Sequence, residues 1–210
     1  DQPSGRGCIH DSPLALFQHL RDYCFFPLTR LLMGGPQINF FNSNEGGSKL
    51  GCRRGSFFGC HFDISAVQYE YSLFRREAEN DILPTVNSIG AAFVCWSPLG
   101  AGFLTGTVKE LDDGDFRKNN PKMQGENFTN NLQRLEQIKN IAVDLSVTPA
   151  QLALAWLIAQ DDNIIPIPGS RKKSRIDENL AALDIQLSRE VLDKLDSIAP
   201  IGAFKGATLV

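Results

Sequence analysis

One pattern dominates the chain from residue 63 onward: short apolar stretches of strand length alternate with longer stretches of helical spacing. The strand-like stretches are residues 64–71, 92–96 and 164–167. Strands that alternate with helices pair in parallel through right-handed crossovers. We therefore predict an α/β fold for this region, in the form of a β/α barrel or part of one.

The helices of this region are marked by periodicity and by start signals. Apolar spacing predicts helices over residues 77–89 and 128–145. Another helix is predicted to begin after Thr148, since Pro149 suits a first helical turn and Gln151 completes a capping box. Two further helix starts are predicted at Ser174 and Ser188.

Residues 1–62 differ from the rest of the chain. They are rich in Gly, Ser, Phe and Cys, and their apolar residues follow neither a helical nor a strand period. We therefore divide the chain into an atypical N-terminal segment, residues 1–62, and a folded α/β region, residues 63–210.

Composition excludes several classes of function. A net charge of −3 gives no basic face for nucleic acid, and no apolar run is long enough to span a membrane. The N-terminus lacks the basic and apolar segments of a secretory signal. The five cysteines are odd in number and do not have the spacing of a zinc site. We expect a cytoplasmic protein with reduced thiols and no bound metal.

Four cations crowd the end of the last predicted strand. A glycine turn at residues 168–170 is followed by Arg171, Lys172, Lys173 and Arg175, where the next helix begins. Cations at a helix N-terminus are unfavourable by roughly a few tenths of a kcal/mol each, so an anion is expected there. Backbone amides and a bidentate guanidinium suit a phosphate, with Arg175 as the first choice. A solvated basic surface loop is the alternative.

A second candidate site follows the strand at residues 92–96. Trp96 and Ser97 stand where the strand ends, and a loop with Gly100 and Gly102 begins there. Ligand sites of parallel α/β folds lie at the carboxyl ends of the strands. Ser97 and the amides after it suit phosphate oxygens, and Trp96 offers a flat face to a planar ring. The alternatives are a core tryptophan and an ordinary glycine turn.

Several motifs in order resemble the aldo-keto reductases. They lie at residues 64–72 (ISAVQYEYS), 96–106 (WSPLGAGFLTG), 115–117 (DFR), 124–128 (QGENF), 148–157 (TPAQLALAWL) and 164–179 (IIPIPGSRKKSRIDEN). The resemblance runs from about residue 63 to residue 199. It implies an eight-stranded (β/α) TIM-type barrel, here an incomplete one that retains strands six to eight. It also implies NADP(H) lying across the carboxyl-terminal face, and a small carbonyl compound as substrate.

The resemblance also implies roles for individual residues. Gln68 matches the residue that holds the nicotinamide carboxamide, and Trp96 matches the aromatic that stacks on the nicotinamide. Ser97, Leu99 and Gly100 match the loop at the pyrophosphate. The residues that match the contacts of the 2′-phosphate and adenine follow the last strand: Gly169, Ser170, Lys172, Arg175, Glu178 and Asn179.

The catalytic set of the family is not identifiable in this sequence. The family uses a Tyr as general acid, assisted by Lys, Asp and His, all from the first half of the barrel. Residues 37–48 faintly resemble the second-strand motif, but Asn42 stands at the Asp position and Gly47 at the Tyr position. Chance similarity is the alternative.

Chain length leads to the same expectation. Only 15 residues separate Ser48 from Ile64. Three β/α units would have to fit there, whereas one βαβ unit takes about 30 residues. The half that carries the catalytic residues is therefore predicted to be missing or divergent.

Three interpretations remain open from the sequence. The first is an NADPH-dependent reductase of aldehydes and ketones. The second is a catalytically silent NADP-binding or regulatory protein. The third is a truncated gene product, whose open sheet edges would need residues 1–62 or another chain to cover them.

Overall fold

The computed structural model describes residues 39–41, 64–108, 111 and 114–207. They form one mixed sheet with helices packed on it. The strands are β1 (Asn39–Phe41), β2 (Ala66–Glu70), β3 (Ala92–Trp96) and β4 (Ile164–Pro166). The α-helices are α1 (Ile82–Ser88), α2 (Gly125–Asp144), α3 (Pro149–Ile158), α4 (Lys173–Leu180) and α5 (Arg189–Ile198).

The sheet has the order β1-β2-β3-β4. β2 pairs in parallel with β3, and β3 pairs in parallel with β4, which confirms the α/β class predicted from the alternation. Helix α1 lies in the connection between β2 and β3, and α2 and α3 lie in the connection between β3 and β4. Helices connect the parallel strands of a β/α barrel in the same way.

β1 departs from the all-parallel expectation. It runs antiparallel to β2, with Asn39 opposite Gln68 and Phe41 opposite Ala66. A barrel strand would be parallel to its neighbour. The antiparallel pairing of β1 therefore does not support the resemblance of this segment to the second barrel strand. The positions compared with the catalytic Asp and Tyr, Asn42 and Gly47, lie outside the described residues.

The two faces of the sheet differ in burial. Val67, Phe93, Cys95 and Ile164 are buried on the face that carries the helices. Alternation of side chains places Gln68, Val94 and Trp96 on the opposite face, where they are only partly buried. The core thus lies between the sheet and the helices, and its large members include Trp156 and Leu157 of α3.

The predicted helix over residues 77–89 is wrong in its first half. Glu77–Glu79 forms a 3-10 turn, and the α-helix begins only at Ile82. Pro84 explains the difference, because proline is accepted in a first helical turn but clashes with the carbonyl four residues earlier inside a helix.

The other helix predictions differ by small shifts. α2 begins at Gly125 rather than at residue 128. Its first residues are not apolar, so a prediction from the spacing of apolar residues starts too late. α4 begins at Lys173, one residue before the predicted Ser174. The capping box of Thr148 and Gln151 is confirmed at the start of α3. Strand predictions at 64–71 and 164–167 were longer than β2 and β4.

In the described part of the chain, no single helix is long and apolar enough to cross a bilayer. α2 and α3 satisfy the length and composition only when taken together, and they meet at a bend of 89°.

Candidate functional site

The carboxyl ends of the three parallel strands lie at one edge of the sheet. The amide of Tyr71 donates to the carbonyl of Trp96 (3.4 Å), and the amide of Ile167 donates to the carbonyl of Cys95 (3.0 Å). β3 lies between β2 and β4. The loop that follows β3, residues 97–102, is called the Ser97 loop. It therefore lies between β2, which carries Gln68, and the turn after β4, which leads to Arg175.

Gln68 and Trp96 share the face of the sheet that the helices leave uncovered. In the parallel register Gln68 pairs with Val94, and Glu70 pairs with Trp96. Both Gln68 and Trp96 are partly buried. The fully buried tryptophan of the described core is Trp156 instead. A flat ring and a side-chain amide thus lie two positions apart on the same face of the sheet.

The loop after Trp96 contains a series of left-handed residues. φ is 55° at Ser97, 56° at Gly100 and 54° at Ala101. Only glycine adopts such angles without strain, and strained non-glycine residues concentrate at functional sites. Glycine is required at position 100 for two reasons. Its φ of 56° is left-handed, and a Cβ there would lie 2.9 Å from the Phe74 side chain.

Hydrogen bonds within this loop limit which groups can hold an anion. The amide of Gly100 donates to the Ser97 carbonyl (2.9 Å), and the amide of Ala101 donates to Ser97 Oγ (3.1 Å). The Gly102 amide donates to the carbonyl of Leu99 (3.0 Å). These three amides therefore already donate within the loop, and a contact of the Ser97 region with phosphate stays a prediction. Ser97 Oγ accepts one of these bonds and still has its hydroxyl hydrogen to donate.

An ion pair from the next turn of the chain contacts this loop. Arg117 Nε lies 2.9 Å and 3.0 Å from the two carboxylate oxygens of Asp115, and Arg117 Nη1 donates to the Ala101 carbonyl (3.3 Å). Hydrogen bonds from the Arg117 side chain and amide lower the pKa of Asp115 to about 2. A depressed carboxyl pKa means that this pair stabilises the fold above the unfolded pKa and is lost as the pH falls through about 2.

The start of α4 carries exposed cations. Lys173 pairs with Asp177 (2.8 Å). Arg171, Lys172 and Arg175 are exposed, and no carboxylate of the described residues forms an ion pair with them. The geometry thus offers three unneutralised cations at a helix N-terminus, close in sequence to a strand end.

The remaining predicted residues lie around this turn. Ser170 Oγ accepts from the Lys172 amide (3.4 Å), so it shapes the turn. No atom lies within 4 Å of a Cβ built on Gly169, which leaves the space above it open. Glu178 and Asn179 are partly buried on α4, and the Glu178 carbonyl accepts from Gln151 Nε2 (3.2 Å).

A family model for the aldo/keto reductases matches residues 60–200, which is well over half of the sequence. The chain belongs to the aldo/keto reductase family. The fold class implied by the resemblance is thereby confirmed: the three parallel strands and their helices are of the (β/α)8 barrel type.

Relatives in this family match about two thirds of the chain. Aldo-keto reductase yakc of Schizosaccharomyces pombe, whose name includes NADP(+), is 42% identical over 152 residues, covering 68% of this chain and 45% of the relative. A probable aldo-keto reductase 1 of Glycine max is 39% identical over 145 residues, covering 68% and 42%. The chain thus spans less than half the length of these curated relatives.

Solved structures of the family also match. The glycerol dehydrogenase of Gluconobacter oxydans superposes with a TM-score of 0.61 at 26% identity, covering 65% of this chain and 42% of the other.

Tyr71 and Lys122 are two described residues of the types that the family uses in catalysis, and both are engaged in contacts of their own. Tyr71 lies on the helix-bearing face of the sheet, where its hydroxyl donates to Glu79 Oε1 (2.9 Å) and burial raises its pKa far above the ordinary value. Lys122 is buried and donates to the Phe74 carbonyl (2.6 Å), and burial lowers its pKa. Neither residue faces the surface of Gln68 and Trp96. The three histidines, His10, His19 and His61, lie outside the described residues.

Sequence reasoning noted Asp115 and Arg117 only as part of a family motif and did not assign them to the site. The available signal was a pair of opposite charges two residues apart in a glycine-rich loop. No group of His, Cys, Asp and Glu among the described residues is arranged to hold a metal ion.

Proposed function

We propose that this protein binds NADP(H) along the carboxyl ends of β2, β3 and β4 and serves the reduction of a small aldehyde or ketone. The observation that carries the proposal is the set of exposed, unneutralised cations Arg171, Lys172 and Arg175 at the start of α4. The name of the Schizosaccharomyces pombe relative, which includes NADP(+), supports the same cofactor.

The cations favour a dinucleotide with a 2′-phosphate. The positive side chains are repelled by the positive end of the helix dipole at the N-terminus of α4. A bound phosphate dianion would offset this repulsion. Arg171 and Arg175 both carry a guanidinium that can form two parallel hydrogen bonds to a phosphate, and Arg175, which lies within α4, is our first choice. NADH lacks the 2′-phosphate, so these residues select NADPH over NADH. Gly169 and Ser170 belong to the turn before α4, and we assign Glu178 and Asn179 of α4 to the adenine.

The other half of the cofactor fits the β2 and β3 strand ends. Gln68 offers an amide to the carboxamide, and Trp96 offers a ring on the same face of the sheet. Ser97 has a hydroxyl hydrogen to donate to the pyrophosphate, beside Leu99 and Gly100. When bound, the cofactor supplies the hydride that reduces the carbonyl carbon.

A catalytically silent NADP-binding protein is the second candidate function. It is favoured by one observation: of the described residues, neither Tyr71 nor Lys122 reaches the surface that carries Gln68 and Trp96. The two functions share the cofactor site and differ only in turnover.

Titration of the purified chain with NADPH and NADH, followed by protein fluorescence, tests the proposal. Arg175→Ala is expected to weaken NADPH binding by about 1.5–3 kcal/mol, the value of a hydrogen bond to a charged group, and NADH binding much less. Arg189→Ala serves as the control, because it removes an exposed cation of α5 whose partner is Asp193. Equal losses for NADPH and NADH in Arg175→Ala would refute the assignment.

Turnover of an aromatic aldehyde on the same sample separates the two candidates. A reductase oxidises NADPH in step with loss of the aldehyde. Tight NADPH binding without any turnover identifies the silent binder.

A further inference from the structure

The turn at residues 114–119 folds back onto the strained loop after Trp96. The Arg117 guanidinium donates to the Ala101 carbonyl (3.3 Å), and its Nη1 lies 3.4 Å from the position of a Cβ on Gly102. Arg117 is the part of this turn that bonds to the Ser97–Gly102 backbone.

Asp115 fixes the orientation of that guanidinium. Its carboxylate accepts from Arg117 Nη2 (2.5 Å) and Nε (2.9 Å), and also from the Arg117 backbone amide (2.9 Å). A guanidinium held by one carboxylate through several bonds has lost most of its rotational freedom. The Arg117 guanidinium therefore donates to the Ala101 carbonyl from a fixed orientation.

The loop itself needs such support. Ser97 and Ala101 have φ of 55° and 54°, angles that residues with side chains adopt only where the surroundings impose them. Leu99 and Ala101 pack against the core from one side. The bond from Arg117 adds a restraint on the backbone at Ala101.

We propose that the Asp115–Arg117 ion pair is a latch that holds the Ser97–Gly102 loop in the shape required by the cofactor pyrophosphate. Arg117 is then a positioning residue that acts through the Ala101 carbonyl. This inference rests on the proposed function, because it takes the dinucleotide to lie beside Ser97.

A direct contact between Arg117 and the pyrophosphate would give a different experimental result. If Arg117 instead bound the pyrophosphate directly, Asp115 would compete with the phosphate for the guanidinium. Removing the Asp115 charge would then leave NADPH binding unchanged or make it tighter. A latch gives the reverse result, since loss of either partner frees the loop.

The experiment compares Arg117→Ala, Asp115→Asn and the double variant, each titrated with NADPH and with adenosine 2′-monophosphate. Each single variant is expected to weaken NADPH about tenfold, and the double variant no more than the worse single one, because interacting partners are not additive. Adenosine 2′-monophosphate reaches the α4 cations but not the Ser97 loop, so its affinity is expected to stay within about twofold, a change of under half a kcal/mol. Arg189→Ala is the matched charge control.

Unchanged or tighter NADPH binding by Asp115→Asn overturns the latch, as does an equal loss for both ligands. Failure of the unmodified chain to bind either ligand would defeat the proposed function instead. Hydrogen exchange of the Gly100, Ala101 and Gly102 amides without ligand then tests the latch alone. Both single variants are expected to exchange faster than Arg189→Ala, and equal exchange rates overturn it.

Discussion

Phe74 shows how a single side chain links the core to the candidate site. Its ring stacks on Phe103 with centroids 4.6 Å apart and lies 4.9 Å from the ring of Phe204. The ammonium of Lys122 lies 4.8 Å from the Phe74 ring centroid. A Cβ built on Gly100 would lie 2.9 Å from the same side chain, so core packing at Phe74 leaves room there for glycine alone.

Gly100→Ala tests this requirement. We expect it to lower the free energy of unfolding by about 2–4 kcal/mol, from left-handed strain together with overpacking against Phe74. NADPH affinity is expected to fall as well, because the Ser97 loop must shift. Urea unfolding and cofactor titration measure the two effects.

Gly90→Ala is the matched control. Gly90 also has a positive φ, of 67°, but nothing lies within 4 Å of a Cβ built there. It precedes β3 at the opposite edge of the sheet. We expect about 1–2 kcal/mol of destabilisation from strain alone and unchanged cofactor affinity. Equal losses for the two variants would show that the Phe74 contact contributes nothing.

At the scale of elements, α3 connects the core to the cation-bearing helix. Its start is a reciprocal capping box: Thr148 Oγ accepts from the Gln151 amide (3.2 Å), and the Thr148 amide donates to Gln151 Oε1 (3.0 Å). Gln151 Nε2 also donates to the carbonyl of Glu178 in α4. One side chain thus caps α3 and fixes α4 beside it.

Thr148→Ala is expected to cost about 1 kcal/mol of unfolding free energy, the usual value of a lost N-cap. Thr148→Ser keeps the accepting hydroxyl, and we expect it to change stability by no more than about 0.5 kcal/mol. Thermal or urea unfolding of the three proteins measures the difference. Loss of stability in the serine variant equal to that in the alanine variant would show that the methyl group, not the cap, matters.

At the scale of the whole molecule, an ion network centred on the buried Arg76 joins parts of the chain far apart in sequence. Arg76 donates to both carboxylate oxygens of Glu79, to Asp196 Oδ1 (2.7 Å) and to the carbonyl of Ala199 (2.9 Å). Its guanidinium also lies 4.8 Å from the centroid of Trp156. Burial opposes the charge of Arg76, but the bond and charge of Glu79 outweigh it and raise its pKa. The network ties the end of β2 to α3 and α5.

Because the proposed cofactor contacts groups from three strand ends, its binding is expected to stabilise the whole described fold. At a ligand concentration of 100 Kd the gain is about 2.7 kcal/mol. For a chain of this length that corresponds to a rise in Tm of about 5–10 °C. Differential scanning fluorimetry with NADPH measures it, and NADH at the same concentration gives the comparison. An unchanged Tm at saturating NADPH contradicts the proposed site.

Local signals in the sequence were sufficient for much of the architecture. β3 was predicted with its observed bounds, and the capping box of Thr148 and Gln151 was confirmed, because both depend on residues close together in the chain. The helix predicted over residues 77–89 is wrong at its start, because Pro84 is accepted only in a first helical turn and apolar spacing does not reveal that limit. The antiparallel pairing of β1 was not predicted, since nothing in three residues specifies a partner strand.

The sequence by itself determined the α/β class and the family, because alternation and ordered motifs are properties of residue order, and the same motifs supplied the candidate site residues as predictions. Only the tertiary structure decided that Trp96 lies partly buried on the face opposite the helices while Trp156 fills the core, and that Arg117 reaches Ala101. Those outcomes depend on strand register and on contacts between distant segments, and both are set by packing as a whole.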